Sequence, residues 1–457
     1  MGSVDEVLIS PLLTSSQPVL QHQERYRWLR LTKALKTALY GVASILVISL
    51  LIHGPITSAC FSRLVSLSKP RTIEERVKRI LTFTPLIVRG SYNNHIHDES
   101  FNKGFVDGGL AGHVDIPRLR TGMNGGAFWS VFWPCPANGT DFSDENYASI
   151  VQNTLQQIDV ITRLTQLHHS TFSPPTLSLP AFLHNFYHHH RLISPLGIEG
   201  LHQIGNSAAT LRQFRALGVR YATLTHNCPN RFADSALIGN PPRKAEPIWG
   251  GVSPAGKKLI REMNRIGMIV DLAHVSVDTM KDVLGAGKDG WEGSLAPVIF
   301  SHSSAYAICP HPRNVPDDVL DLVRKKGGLV MINFSPDFIS CVEAPNRDDG
   351  LPEFYPKNAT LAQVVKHVKY IGERIGWDHV GLGSDFDGIE NTPEGLEDVS
   401  KYPELVTELL RQGVTDKDVA KVVGGNALRV WREVDAVAEK LQQAGEPVLE
   451  DELSRLW

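Results

Sequence analysis

Short, continuous apolar runs recur along most of the chain, with amphipathic stretches between them. The runs cover residues 83–88, 126–132, 192–198, 219–224, 267–272, 296–300, 328–333 and 379–383. Uninterrupted runs of this length suit strands buried on both faces, as in a parallel sheet. Between the later runs, segments such as SPAGKKLIREMNRIG and PDDVLDLVRKKG place apolar residues every three or four positions. Each opens on a helix-start signal, Ser253 in one and Pro316 with Asp317 in the other. Eight β-runs with helical crossovers predict an α/β fold, a (β/α)8 TIM-type barrel in preference to a doubly wound sheet. The closing stretch, 402–441, reads as helical, whereas residues 169–191 show no period and read as a surface insertion. The run His188, His189 and His190 inside it is expected in an exposed loop, not at a metal.

The N-terminus departs from this pattern. Residues 38–52 carry no charge, and Arg25, Arg27, Arg30, Lys33 and Lys36 precede them. A spanning helix needs about 20 apolar residues, so the stretch reaches across with help from Thr37, His53 and Gly54. A cleaved signal peptide, cut near Thr57-Ser58-Ala59, is the competing reading, but the region leading into the apolar core is long for one. The expected organisation is a cytosolic tail over 1–36, a transmembrane signal-anchor over 37–53, a stalk over 54–78 and the barrel over 79–457. With the basic flank cytosolic, the barrel would be lumenal or extracellular on a single-pass membrane protein.

Composition removes several functions. With 46 basic against 49 acidic side chains the formal charge is -3, so no basic excess exists to bind nucleic acid. Ordinary apolar content, 42%, excludes a disordered chain. Five cysteines without a CxxC pair make neither a disulfide scaffold nor a structural zinc site. GAGKDG at 285–290 follows a helical segment instead of a strand, and GVSPAGKK at 251–258 ends on Lys258 where a phosphate loop needs Ser or Thr. HExxH and GxSxG are absent.

Chemistry enters at the strand ends, where a barrel gathers its active site. The third run leads to Glu199, the fourth to His226, the fifth to His274, the sixth to His302 and the eighth to Asp385. A lone histidine would be read as a core residue. One Glu, three His and one Asp in register are the ligand chemistry of a metal-dependent hydrolase.

These strings resemble the membrane (renal-type) dipeptidases, binuclear zinc peptidases on an amidohydrolase-like barrel, and most of all the fungal members. The likeness runs from about residue 79 to 435 through HVDIPRLRTG, GGAFWSVFWPC, GIEGLHQIGNS, LTHNC, IVDLAHVSVDTM, VIFSHSSAY, RNVPDD, GSDFDG and EGLEDVSKYPELV. The resemblance implies hydrolysis of dipeptides by a metal-bridged hydroxide, with two Zn2+ per subunit. Glu199 would bridge the metals, and His274 and His302 would complete one site. His226 would bind substrate and stabilise the oxyanion, Arg313 would hold the substrate carboxylate, and Asp385 would shuttle the proton. It also implies disulfides Cys135–Cys228 and Cys309–Cys341, leaving Cys60 over beside the stalk. Asn138-Gly139-Thr140 and Asn358-Ala359-Thr360 are glycosylation sequons that fit a lumenal body. The expected partners are a dipeptide substrate and the membrane; a homodimer is left open.

In one place the chain departs from the family. The family's first strand ends in a DGHND-type motif whose His-x-Asp supplies two ligands of the second zinc. Here the run reads FTPLIVRGSYNNHIHDE, and roughly eight residues carrying the motif are missing between Ile87 and Val88. His113-x-Asp115 and His95-x-His97 are the available substitutes, neither at a strand end. The gap sets two expectations against each other: a dipeptidase, or a catalytically impaired barrel that binds a ligand or partner.

Overall fold

The computed structural model describes Thr82–Phe83, Leu86–Ile87 and residues 94–452. The anchor over 37–53, the stalk and Cys60 lie outside the described residues. Among the described residues no helix is long and apolar enough to cross a membrane.

Each of the eight apolar runs yields a strand: β1 (Leu86–Ile87), β2 (Trp129–Val131), β3 (Leu196–Glu199), β4 (Val219–Thr223), β5 (Ile269–Asp271), β6 (Ile299–Phe300), β7 (Leu329–Ile332) and β8 (Val380–Leu382). Their ladders are parallel, and the order in the sheet is the order in the chain. At least one helix fills each of the connections from β1 to β8. This is the winding of a TIM-like barrel, seen as a curled parallel sheet; among the described residues no ladder joins β1 to β8.

Residues of β2 to β8 are buried on both faces, which is why the runs are unbroken in the sequence. Alternate strand residues divide between two clusters, as the period of two requires. Ala222, Val270, Phe300, Val330 and Ile332 pack with helical residues such as Leu259, Val319 and Val368. Their neighbours Tyr221, Ile269, Ile299, Leu329 and Met331 pack with Phe128, Phe182 and Trp431.

The helix Pro254–Ile266 starts where expected: the Ser253 hydroxyl accepts from the Gly256 amide, and Gly267 closes it at φ 69. Asp317–Lys326 carries acids in its first turn and three bases in its last, matching the helix dipole. The closing stretch is helical over Tyr402–Arg411, Asp416–Ala420 and Asn426–Gln443.

The reading of 169–191 as an aperiodic surface insertion is corrected. Leu179–His189 is a helix that sends Leu179 and Phe182 into the second cluster, with Leu183 and Phe186 packed against it. Those four positions have helical spacing; two prolines upstream and the histidine run downstream masked it. His188, His189 and His190 are exposed, but on the helix end instead of a loop.

Candidate metal centre

Glu199 closes β3, while His226, His274, His302 and Asp385 stand in the turns directly after β4, β5, β6 and β8. Arg313 comes from the loop between β6 and the helix Asp317–Lys326. All but His302 line one cleft of about 950 Å³, and His302 touches two of its lining residues. The strand-end rule thus assembles residues that the sequence scatters from 199 to 385.

At the centre three donors converge. Glu199 Oε1 lies 3.0 Å from His274 Nε2 and 3.0 Å from His302 Nε2, and the two nitrogens are 2.9 Å apart. All three side chains are buried. Outer partners orient the rings: His274 Nδ1 is 3.0 Å from Asn227 Oδ1, and His302 Nδ1 is 2.7 Å from Ser301 Oγ. Burial holds both imidazoles below the ordinary histidine range, His274 well below, with the Arg313 guanidinium acting in the same direction. Neutral rings are what a metal needs as ligands. Burial also pushes the Glu199 carboxyl up to about 7, against the pull of Arg313. A dry carboxylate facing two imidazole nitrogens is a set that a divalent cation completes, and zinc favours these donors. The residues present fit one such ion.

Around the centre stand groups suited to a substrate. Arg313 is 2% exposed; it donates to the His302 carbonyl at 3.2 Å and lies over the Phe338 ring at 5.0 Å. Burial lowers its pKa to about 10, still fully charged at neutral pH. Its Nε and the Asp385 Oδ1 are buried without a hydrogen-bond partner among the described residues. Asp385 Oδ2 accepts from Asn333 at 3.3 Å, and burial raises its carboxyl to about 6, opposed by His302 and Arg313. The His226 ring packs on Phe132 at 4.8 Å and His274 at 4.2 Å. His274 and Asp385 both sit at left-handed φ, 64 and 63, a conformation held by the surrounding turns.

The Cys135–Cys228 disulfide ties the end of β2 to the loop carrying His226, and Cys309–Cys341 forms the second bond. A further grouping of Cys135, His202 and Cys228 is therefore not a free donor set, because both sulfurs are bonded. The substitutes for the first-strand motif do not reach the cleft. His95 and His97 are exposed. Asp115 is the N-cap of the helix Ile116–Thr121, bonded to Arg118 and to the Gly109 amide, and His113 is bonded to the Asp387 backbone.

Sequence reasoning missed Asn227, Ser301, Asn333 and Phe338. Asn333 ends the seventh run, so the rule that found the others would have found it. Phe338 carried no signal, since a ring under a guanidinium is visible only in three dimensions.

Carboxylate and imidazole donors gathered on parallel strand ends are the equipment of metal-dependent hydrolases built on α/β barrels. The model of one family, the membrane dipeptidases (Peptidase family M19), matches residues 74–445, and the chain belongs to that family. It is 45% identical over 375 residues to the dipeptidase aclJ of Aspergillus oryzae, covering 80% of this chain and 82% of that one. It is 46% identical over 348 residues to the dipeptidase tcpJ of Claviceps purpurea, covering 76% and 75%. An uncharacterized dipeptidase of Schizosaccharomyces pombe is 42% identical over 417 residues, covering 87% and 93%. Among solved structures, the probable dipeptidase PvdM of Pseudomonas aeruginosa has a TM-score of 0.68 at 22% identity, covering 81% of this chain and all of that one. A metallo peptidase of Rhodobacter sphaeroides, liganded with a phosphinate mimic of L-Ala-D-Ala, has a TM-score of 0.62 at 22% identity, covering 78% and 99%. Likeness at these identities concerns the fold.

Proposed function

We propose that the chain is a zinc-dependent dipeptidase whose substrate lies between the Glu199, His274 and His302 donors and the Arg313 guanidinium. The observation that carries this reading is that Glu199, His274 and Arg313 line one cleft, with His302 in contact with the first two. Zinc, when bound, supplies Lewis acidity toward the scissile carbonyl and the attacking water. The chain's own residues do the rest. Arg313 offers an unpaired Nε to the free carboxylate of a dipeptide in a desolvated site. His226, held neutral by burial, keeps one ring N–H to donate to the oxyanion. Asp385, with one oxygen unpartnered and its carboxyl raised toward neutrality, takes the proton from water and delivers it to the leaving amine.

Specificity tests this reading. Dipeptides should be cleaved and their C-terminal amides should not, and Arg313→Ala should lose at least ~30-fold in kcat/KM, since breaking a desolvated charge pair costs ~2–5 kcal/mol. The assay belongs on a form with the first-strand motif restored. Equal turnover of dipeptide and amide removes Arg313 from the role.

The first-strand gap favours a second reading, a catalytically impaired barrel that binds a ligand or partner. Zinc content and turnover together separate the two.

The barrel is proposed to face the lumen or exterior behind an uncleaved anchor. Supporting this are the basic cluster before residue 38, the two disulfides and the exposed sequon residues Asn138 and Asn358. Non-reducing mass mapping of protein from native membranes should recover both bonds; four free thiols would count against it.

A further inference from the structure

We propose that Asp271 and Ser301 form a positioning relay that fixes which nitrogen of His302 carries its proton, so that Nε2 faces the metal with a bare lone pair. The inference deepens the metallopeptidase reading and rests on it.

Asp271 ends β5, fully buried, and accepts four hydrogen bonds. Its Oδ1 takes the backbone amides of Ala273 at 3.0 Å and Ser301 at 2.8 Å. Its Oδ2 takes the hydroxyls of Thr223 at 2.5 Å and Ser301 at 2.6 Å. A carboxylate has no proton to give, so the single Ser301 hydrogen points to Asp271. Toward His302 Nδ1, 2.7 Å away, the same hydroxyl can then only accept. Nδ1 is therefore the N–H, and a neutral imidazole with its proton there leaves Nε2 free. That Nε2 lies 3.0 Å from Glu199 Oε1 and 2.9 Å from His274 Nε2. His274 reaches the same state by a shorter route, with Nδ1 against the Asn227 amide oxygen. The relay spans the ends of β4, β5 and β6, so the strand register sets the polarity of a hydrogen-bond chain two residues removed from the metal.

The polarity can be reversed without emptying the site. In Asp271→Asn, the two backbone amides hold Oδ1 in place and put Nδ2 where Oδ2 was. Nδ2 then donates to the Ser301 hydroxyl, which turns its hydrogen onto His302 Nδ1 and drives the ring proton to Nε2, against the metal. Ser301→Ala removes the guide without imposing the wrong tautomer. The test is Zn2+ affinity of the metal-stripped full chain, measured by competition with a chromophoric chelator, with thermal melting as a check on folding. Outer partners of ligating histidines are worth about 10–100-fold in metal affinity. Ser301→Ala should weaken Zn2+ by about 10-fold and Asp271→Asn by about 100-fold. The double variant should recover to the Ser301→Ala level, because no hydroxyl remains to push the proton the wrong way. A merely structural Asp271 would leave the double variant at least as weak as Asp271→Asn, and that result overturns the relay. So does wild-type affinity in Asp271→Asn when His302→Ala binds weakly, which leaves the metal site itself standing. A wild-type chain that takes up no Zn2+ overturns the site, and the relay with it.

Discussion

Gly383 is a glycine because of distance. A Cβ built there would stand 1.9 Å from the Ser301 carbonyl oxygen and 3.0 Å from the Met331 Cβ. The turn after β8 thus runs against the turn after β6, and that approach brings the Asp385 carboxyl within the electrostatic reach of His302. Gly383→Ala must push the two turns apart. It should cost about 1–3 kcal/mol of stability, the usual range for overpacking a tight contact. Activity should fall further than this loss of folded protein explains. A thermal melt and kcat/KM at a temperature where the variant is folded check this; full activity would mean the turns can separate harmlessly. At this scale the sequence was legible where chemistry and strand end coincide, as at Glu199, His274 and Asp385. Asp271 also ends a strand, yet it reads as one more carboxylate beside His274. Its role appears only once Ser301, thirty residues on, is folded against it.

Elements are joined by a histidine of a different kind. His367, on the helix Leu361–Ile375, is fully buried; its Nδ1 accepts from the Ala305 amide at 3.1 Å, and its Nε2 donates to the Ile339 carbonyl at 2.9 Å. It bolts the helix to the loop that leads to Arg313 and to the end of the short helix Pro336–Ile339. Burial pushes its pKa down to about 4, against the Ile339 carbonyl and with some help from Lys366. An unfolded histidine titrates near 6.5. Between those values the unfolded chain takes up a proton that the native one refuses, so stability declines as pH falls through the window. The share of His367 is on the order of 3 kcal/mol. Wild-type protein should therefore lose melting temperature from pH 6.5 to 4 more steeply than His367→Asn, and parallel profiles would exclude His367 as the source. Elements of β-type and the helices Pro254–Ile266, Asp317–Lys326 and Asn426–Gln443 were legible because burial on two faces, or one, leaves its own period. The helix Leu179–His189 was not, since eleven residues hemmed by prolines and histidines give the period little room.

Across the molecule, the described residues gather one donor set of a glutamate and two histidines, Glu199, His274 and His302. Among the described residues no second group of histidines and carboxylates stands beside the first. On the proposed reading, with its gap in the first strand, zinc analysis of the chain as it is should find about one ion per chain, with dipeptidase activity greatly reduced, since one Lewis-acid contribution in place of two forfeits several kcal/mol of barrier lowering. Insertion of a His-x-Asp segment between Ile87 and Val88 should restore the second ion and turnover together. Two tightly held zincs and full activity without the insertion would defeat this account. Strand order was legible at this scale because a parallel sheet with helical crossovers has few ways to wind.

His274 and Asp385 hold left-handed backbone that costs roughly 1–2 kcal/mol per residue relative to an ordinary turn. Both side chains line the cleft, so that expense falls where the proposed chemistry needs a ring and a carboxylate. A lineage released from the reaction would gain robustness by putting glycine at either position. Each such step would make a return to activity less accessible, because regaining the side chain would mean giving up stability first. In this fold, decay of the enzyme is a downhill path with a ratchet.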